Sequence, residues 1–317
     1  MNNDDNNNAI QALKDIALEG LKEQRRARRW GIFFKFMLML YLLGGLLLVV
    51  STSWRDLTGS SLKGDKITAV VDIDGAIMPD SDAGADLVIP SLRKAFADPK
   101  TKAVMLRINS PGGSPVQSGY INDEIQRLKK KYDKIPVYAV VADMCASGGY
   151  YIAVAADKIY VDKASIVGSI GVRMDSFGAV AALEKLGIER RLYTAGTNKG
   201  MLDPFLPENA QQVDHVKNML AITHQQFINV VKQGRGERLK ETPEMFSGLF
   251  WTGETAVELG LADGLGSASY VAREVVGAED MVNFSASKDV FQRLTEKISL
   301  SLKSILYESS APSTQLY

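Results

Sequence analysis

Residues 135–172 read IPVYAVVADMCASGGYYIAVAADKIYVDKASIVGSIGV, and the fold follows from how this stretch divides. IPVYAVVAD is a β-branched run of strand length. It breaks at Ser147-Gly148-Gly149 and passes into YYIAVAA, a run of small residues that predicts a tightly packed helix. It then returns through the short strand DKIYVDK to an extended IVGSIGV. Outward from here the same alternation recurs. KITAVVDIDGAI (66–77) and KAVMLRIN (102–109) are two further apolar strands, the second ending at SPGGSP, and residues 117–131 carry Ile121, Ile125 and Leu128 at helical spacing. Strands alternating with helices in this way predict an α/β domain. Further along, the pattern predicts a strand over RRLYTA (190–195), an amphipathic helix over 223–240 and a glycine-stopped helix within GETAVELGLADGLGS (253–267). A last helix with one apolar face is expected over 290–307, before a polar tail.

Composition narrows the function classes. A chain of 317 residues, 46% hydrophobic, suits one large domain with appendages. Lys+Arg and Asp+Glu are both 37, so there is no net basic field to attract nucleic acid. Cys145 is the single cysteine, which removes an intramolecular disulfide and a cysteine-based metal cluster. With only His215 and His224 present, a serine nucleophile must be expected to use a base other than imidazole.

Ahead of the domain, residues 30–52 read WGIFFKFMLMLYLLGGLLLVVST, close to the ~20 apolar residues that span hydrocarbon. Lys35 lies near one end, where it can snorkel. The run is long and starts late for a cleaved signal peptide, so a retained anchor is expected. Lys22, Arg25, Arg26, Arg28 and Arg29 precede it, against Arg55 and Lys63 after it, which places the N-terminus in the cytoplasm by the positive-inside rule. The expected organisation is a cytoplasmic arm (1–29), an anchor (30–52), a linker (53–65), a catalytic domain (66–280) and a C-terminal helix and tail (281–317).

Two segments join turn-forming glycines to a hydroxyl at the end of a strand, NSPGGSP (109–115) and CASGGYY (145–151). In the second, Ser147 precedes a predicted helix, so the Gly148 N–H sits where negative charge is favoured. In the first, Gly112 and Gly113 offer another N–H. The plain alternative is that Ser147 caps a helix and the glycines permit close packing. Cys145 occupies the first position of a would-be G-x-S-x-G elbow, which is therefore not matched, and is itself a weaker candidate nucleophile. A lysine desolvated in a closed site can act as base because burial favours its neutral amine. Lys199, in TAGTNKG (194–200), is one candidate, but Lys158, Lys163 and Lys185 are equal to it as residue types, and pattern alone does not choose among them.

Taken together, NSPGGSPVQSGYINDEI, ADMCASGGYYIAVAADKIYVDKASIVGSIGV, TAGTNKG and FSGLFWTGETAVELGLADGLG resemble the single-repeat form of signal peptide peptidase A, of peptidase family S49, from about residue 66 to 266. The resemblance implies a fold of the caseinolytic-protease and crotonase type, α/β with repeated β-β-α units, here preceded by one transmembrane helix. It implies Ser147 as nucleophile, Lys199 as general base, the N–H groups of Gly113 and Gly148 as oxyanion hole, and Ser169 as a hydroxyl that holds the lysine. No cofactor or metal is implied. The expected activity is degradation of cleaved signal peptides and other hydrophobic peptides through an acyl-enzyme. The expected partners are those peptides, the bilayer and further copies of the chain in a ring- or dome-like homo-oligomer with sites between protomers. The expected location is a bacterial inner membrane, with the catalytic domain on the periplasmic side. Alternatives are a related inner-membrane protease with the same dyad, a crotonase-like acyl-coenzyme A enzyme, and a catalytically silent membrane scaffold.

Overall fold

The computed structural model describes residues 65–286 without a break and, nearer the N-terminus, Lys14, Lys22, Arg25, Arg26 and residues 28–45. The chain divides into two units, Met1–Leu62 and Lys63–Tyr317. In the first, residues 28–45 are helical and exposed, with the Trp30, Phe33 and Phe34 rings in mutual contact, Phe33 edge-on to the other two. No helix among the described residues is long and apolar enough to cross a membrane. Residues 46–52 of the expected anchor, the linker up to residue 64, and the expected helix over 290–307 lie outside the described residues.

The second unit is a mixed α/β fold on a parallel-rich sheet, consistent with the caseinolytic-protease type. Its strands are β1 (Ile67–Asp74), β2 (Thr101–Ser110), β3 (Val137–Ala146), β4 (Lys158–Val161), β5 (Ile166–Gly168), β6 (Phe250–Thr252), β7 (Gly264–Leu265) and β8 (Met281–Asn283). They run in the order β6-β5-β3-β2-β1-β8, with β4 and β7 branching from β3. Every pairing is parallel except β5 with β6. Strand β1 is buried along nearly its whole length, as its unbroken apolar run requires of a parallel strand covered on both faces. Because β8 pairs with β1, the sheet continues past residue 280.

Strand β3 divides its outer edge. Tyr138–Val140 pair with β4, while Met144–Ala146 pair with β5. The two partners diverge around its C-terminal end and open the space in which the functional turn sits.

The helices α1 (Ala85–Ala97), α2 (Pro115–Lys131), α3 (Gly148–Ala153), α4 (Val180–Lys185), α5 (Ala210–Arg235) and α6 (Gly253–Glu258) complete the fold. Ser114 caps α2 through the Gln117 N–H, Pro115 opens its first turn, and Lys129–Lys131 close it against the carbonyl end. Two sequence expectations shift. RRLYTA is not a strand: apart from half-buried positions such as Leu206 the stretch around it lies exposed, so no neighbouring strand pairs with it. The helix expected at 223–240 begins at Ala210, where the Asn209 side chain accepts from the Gln211 and Gln212 N–H groups, and it ends at Gly236, whose φ is 55°. Arg235 anchors its end: the guanidinium is 1% exposed, forms a two-pronged ion pair with Asp263 and donates to the Gly260 carbonyl.

Candidate active site

Ser147 stands between β3 and α3 with φ 51° and ψ −119°, a region that a residue with a Cβ occupies only under strain. Only three non-glycine residues among those described have positive φ: Ser147, Ser169 and Leu202. Two of the three line the same cavity. Such strain persists only where surrounding contacts hold it, and here the Ser147 N–H donates to the Gly168 carbonyl at 2.8 Å while the Ser169 N–H donates to Leu249 at 2.7 Å. Register pairs Ala146 with Gly168, so Ser147 and Ser169 leave adjacent strands side by side, at the ~5 Å strand spacing. The Ser147 side chain makes no capping hydrogen bond to α3. The plain alternative for this serine, a helix cap, is therefore absent.

The 111–114 turn arrives from β2. Its latch is Ile77: the Ile77 N–H donates to Gly112 at 2.9 Å, and the Ser114 N–H donates to the Ile77 carbonyl at 2.8 Å. Ser110, fully buried, accepts the Gly112 N–H at 3.1 Å and donates to the Gly75 carbonyl at 2.7 Å. Gly112 has φ 98°, and a Cβ there would lie 2.7 Å from both the Gly148 nitrogen and the Ser147 Cβ. Glycine is required at this position by both conformation and space. A Cβ on Gly148 would come within 3.2 Å of the Gly113 nitrogen, so the two amides lie close together. Among the described residues neither N–H has an acceptor, which leaves both available to a developing oxyanion.

These groups open onto a cavity of about 1140 Å³. Val116 and Tyr120 of α2 form one wall, and Thr223, Gln226 and Phe227 of α5 form another, while Ser169, Gly171 and Gly248 close a third side. Among the described residues no lysine lines it: Lys199, Lys158, Lys163 and Lys185 all lie elsewhere. Lys199 is exposed, in the turn that follows Gly196. His224 does not line the cavity either, and its Nε2 lies 3.1 Å from the Ile170 carbonyl. Cys145 is wholly buried, and burial pushes its thiol well above the ordinary range, so it is no nucleophile. Among the described residues no group of three or more His, Cys, Asp or Glu side chains is arranged to hold a metal ion.

The structure thus brings Ser147, Gly113, Gly148 and Ser169 together and leaves Lys199 apart. Sequence reasoning missed Ser110 as the tie behind the turn, and it missed the α5 residues that face the nucleophile. Only the NSPGG context hinted at the first; the second depends on how α5 packs.

A serine hydroxyl beside two amides without acceptors, at the end of a parallel strand, is an arrangement suited to acyl transfer. Residues 129–281 match the model of peptidase family S49. The chain is 31% identical over 273 residues to a provisionally named protease of Methanocaldococcus jannaschii, a match covering 82% of this chain and 85% of that protein. It is 34% identical over 178 residues to a provisionally named signal peptide peptidase SppA of Enterococcus faecium, with 56% and 51% covered. A Na(+)/H(+) antiporter NhaA of Brucella abortus shares 50% identity over 186 residues, 59% of this chain but 25% of that protein. The chain spans a quarter of the antiporter and about half of the Enterococcus protein. It belongs to peptidase family S49.

Proposed function

We propose that this chain is a membrane-anchored serine endopeptidase acting on hydrophobic peptides, cleaved signal peptides among them. The observation that carries the reading is Ser147, held at φ 51° with no helix-capping bond, beside two amides without acceptors. In the mechanism, a lysine amine takes the Ser147 proton as Oγ bonds to the scissile carbonyl, and the N–H groups of Gly113 and Gly148 hold the oxyanion. The C–N bond breaks as the lysine passes its proton to the leaving amine. Water, activated by the same amine, then hydrolyses the acyl-enzyme.

The base in this reading is Lys199 of a neighbouring copy, steadied by the Ser169 hydroxyl. Two observations support a shared site. Among the described residues of a single chain no lysine lines the cavity. The segment that carries Lys199 also exposes Phe177 (71%), Leu186 (71%) and Tyr193 (89%), an apolar display of the kind a subunit contact covers. The anchor over 30–52, with the N-terminus cytoplasmic and the domain on the periplasmic side of a bacterial inner membrane, rests on the sequence; alkaline carbonate extraction should leave the chain in the membrane pellet.

The lysine-free cavity also favours a second reading, a membrane scaffold without catalysis. Cleavage of a leader-like hydrophobic peptide by the detergent-solubilised assembly separates the two. Ser147→Ala and Lys199→Ala should each lose at least about 10³-fold in kcat/KM, and co-assembly of the two inactive variants should restore a measurable fraction. An unimpaired Lys199→Ala would remove Lys199 as base. Failure of the co-assembly to regain activity would remove the shared site. A wild type that cleaves nothing would leave the scaffold.

A further inference from the structure

Among the described residues two charged side chains line the cavity, Asp123 and Arg173. Arg173 has Asp175 3.5 Å away. Asp123 has no hydrogen bond and no ion pair among the described residues, although a cation lies one helical turn along α2. That cation, Arg127, is committed to Glu124 through both its Nε and its Nη2, at 2.8 and 2.6 Å. Asp123, an exposed residue of the wall, is thus a cavity charge without a partner among the described residues, and its field reaches the nearby Tyr151 phenol, which burial and this carboxylate together push up.

One turn before Asp123, on the same face of α2, stands Gly119. Glycine inside a helix costs about 1 kcal/mol relative to alanine. Nothing in the fold asks for it: its φ is ordinary, and a Cβ there would meet nothing within 4 Å. The missing side chain leaves open space at the cavity wall one helical turn from Asp123, and the Tyr151 ring, 5.2 Å from that of Phe227, lines the same cavity. The aliphatic stem of a lysine or arginine is long enough to cover that turn, about 5.4 Å, and bring its charge to the carboxylate.

We propose that Gly119 and Asp123 form a subsite for a lysine or arginine side chain of the bound peptide. This rests on the peptidase reading above. Ser118, next to Gly119, touches the Gly148 backbone, and five residues of helix advance about 7.5 Å. At ~3.3 Å per residue of extended chain, the basic residue sits two or three positions from the scissile bond. The enzyme is then selective for a hydrophobic peptide that carries a positive charge at a set distance from the cut.

The test uses a hydrophobic peptide with lysine, norleucine or glutamate placed in turn at each of the three positions on either side of the cut, with the detergent-solubilised full chain. At one position lysine should exceed norleucine in kcat/KM by about fivefold, a margin that shrinks with salt. In Asp123→Asn the ratio should fall to near one, and Asp123→Lys should favour glutamate over lysine at that same position. Gly119→Leu should erase the lysine preference by filling that space. Equal rates for lysine and norleucine at all positions in wild type, or a ratio unchanged in Asp123→Asn, would overturn the subsite. The same peptides are also measured by fluorescence anisotropy on the Ser147→Ala assembly, where a lysine preference that depends on Asp123 stands or falls without any cleavage. Should no peptide be cleaved by wild type, that binding result alone decides the subsite, while the peptidase reading fails on its own.

Discussion

Two regions of the second unit meet the same functional demand in opposite ways. Around the C-terminal ends of β2 and β3 the backbone is tied at close intervals, with the Gly113 and Gly148 N–H groups left open: Ile77 grips the 111–114 turn from both sides, Ser110 ties Gly112 to Gly75, and Gly112 leaves no room for a methyl group. From residue 171 to 209 almost nothing is buried, and α4 has no buried residue at all. The first region holds Ser147 and the Gly113 and Gly148 amides, where, in the peptidase reading proposed above, displacements of a few tenths of an ångström would matter. The second carries Lys199 and apolar side chains open to solvent. In that proposed reading, a rigid half-site and a surface-borne half-site suit a reaction shared between copies, with the lysine reaching outward while the oxyanion donors stay fixed.

The comparison can be broken at its strongest point first. Asp263→Ala would strand the buried Arg235 guanidinium at the C-terminal end of α5 and should cost about 3–5 kcal/mol in denaturant unfolding; a loss under 1 kcal/mol would mean that this end of α5 is not fixed as described. Gly112→Ala forces a Cβ against Gly148 and Ser147, and should lower kcat/KM by about 10²–10³ as the amides are displaced, while destabilising by about 1–3 kcal/mol. Near-wild-type activity in a folded Gly112→Ala would show that the turn is not as tightly set as its contacts imply.

A smaller effect concerns pH. The Arg127 hydrogen bonds, seconded by Arg93, hold the Glu124 carboxyl down, to about 2 from 4.5. A carboxyl whose folded pKa is depressed contributes stability that is full above the unfolded value and is lost as pH falls through the folded one. Wild type should therefore lose on the order of 1–3 kcal/mol between pH 4.5 and 2 that Glu124→Gln does not, as read from urea midpoints across that range. The smallest expected change is Gly178→Ala, in the exposed segment, where a Cβ meets nothing within 4 Å: unfolding free energy should move by less than about 0.5 kcal/mol. A large loss there would show that the segment is held in place more firmly than its exposure indicates.

Much of this was legible in the residues. Apolar runs such as ITAVVDID and KAVMLRIN announce buried parallel strands because both faces of such strands are covered. Paired glycines after a strand announce a turn because few other residues tolerate the backbone, and Ile121, Ile125 and Leu128 announce by their spacing the helix that follows. Each of these signals is local, spanning a few residues. RRLYTA misled for the same reason: its β-branched and aromatic content was read without knowing that no strand lies beside it.

What the chain could not disclose alone is set by contacts between residues far apart in sequence. That the 111–114 turn lies on Ser147 follows from the parallel register of β2 with β3, and the strain at Ser147 is held by Gly168, 21 residues on. That Lys199 stands away from Ser147, and that Asp123 faces the cavity without a cation of its own, follow from where α2, α5 and the 171–209 segment come to rest. Periodicity and turn chemistry report the backbone's local preferences; the distance between two side chains on different elements is fixed only when the sheet closes its register and the helices pack upon it.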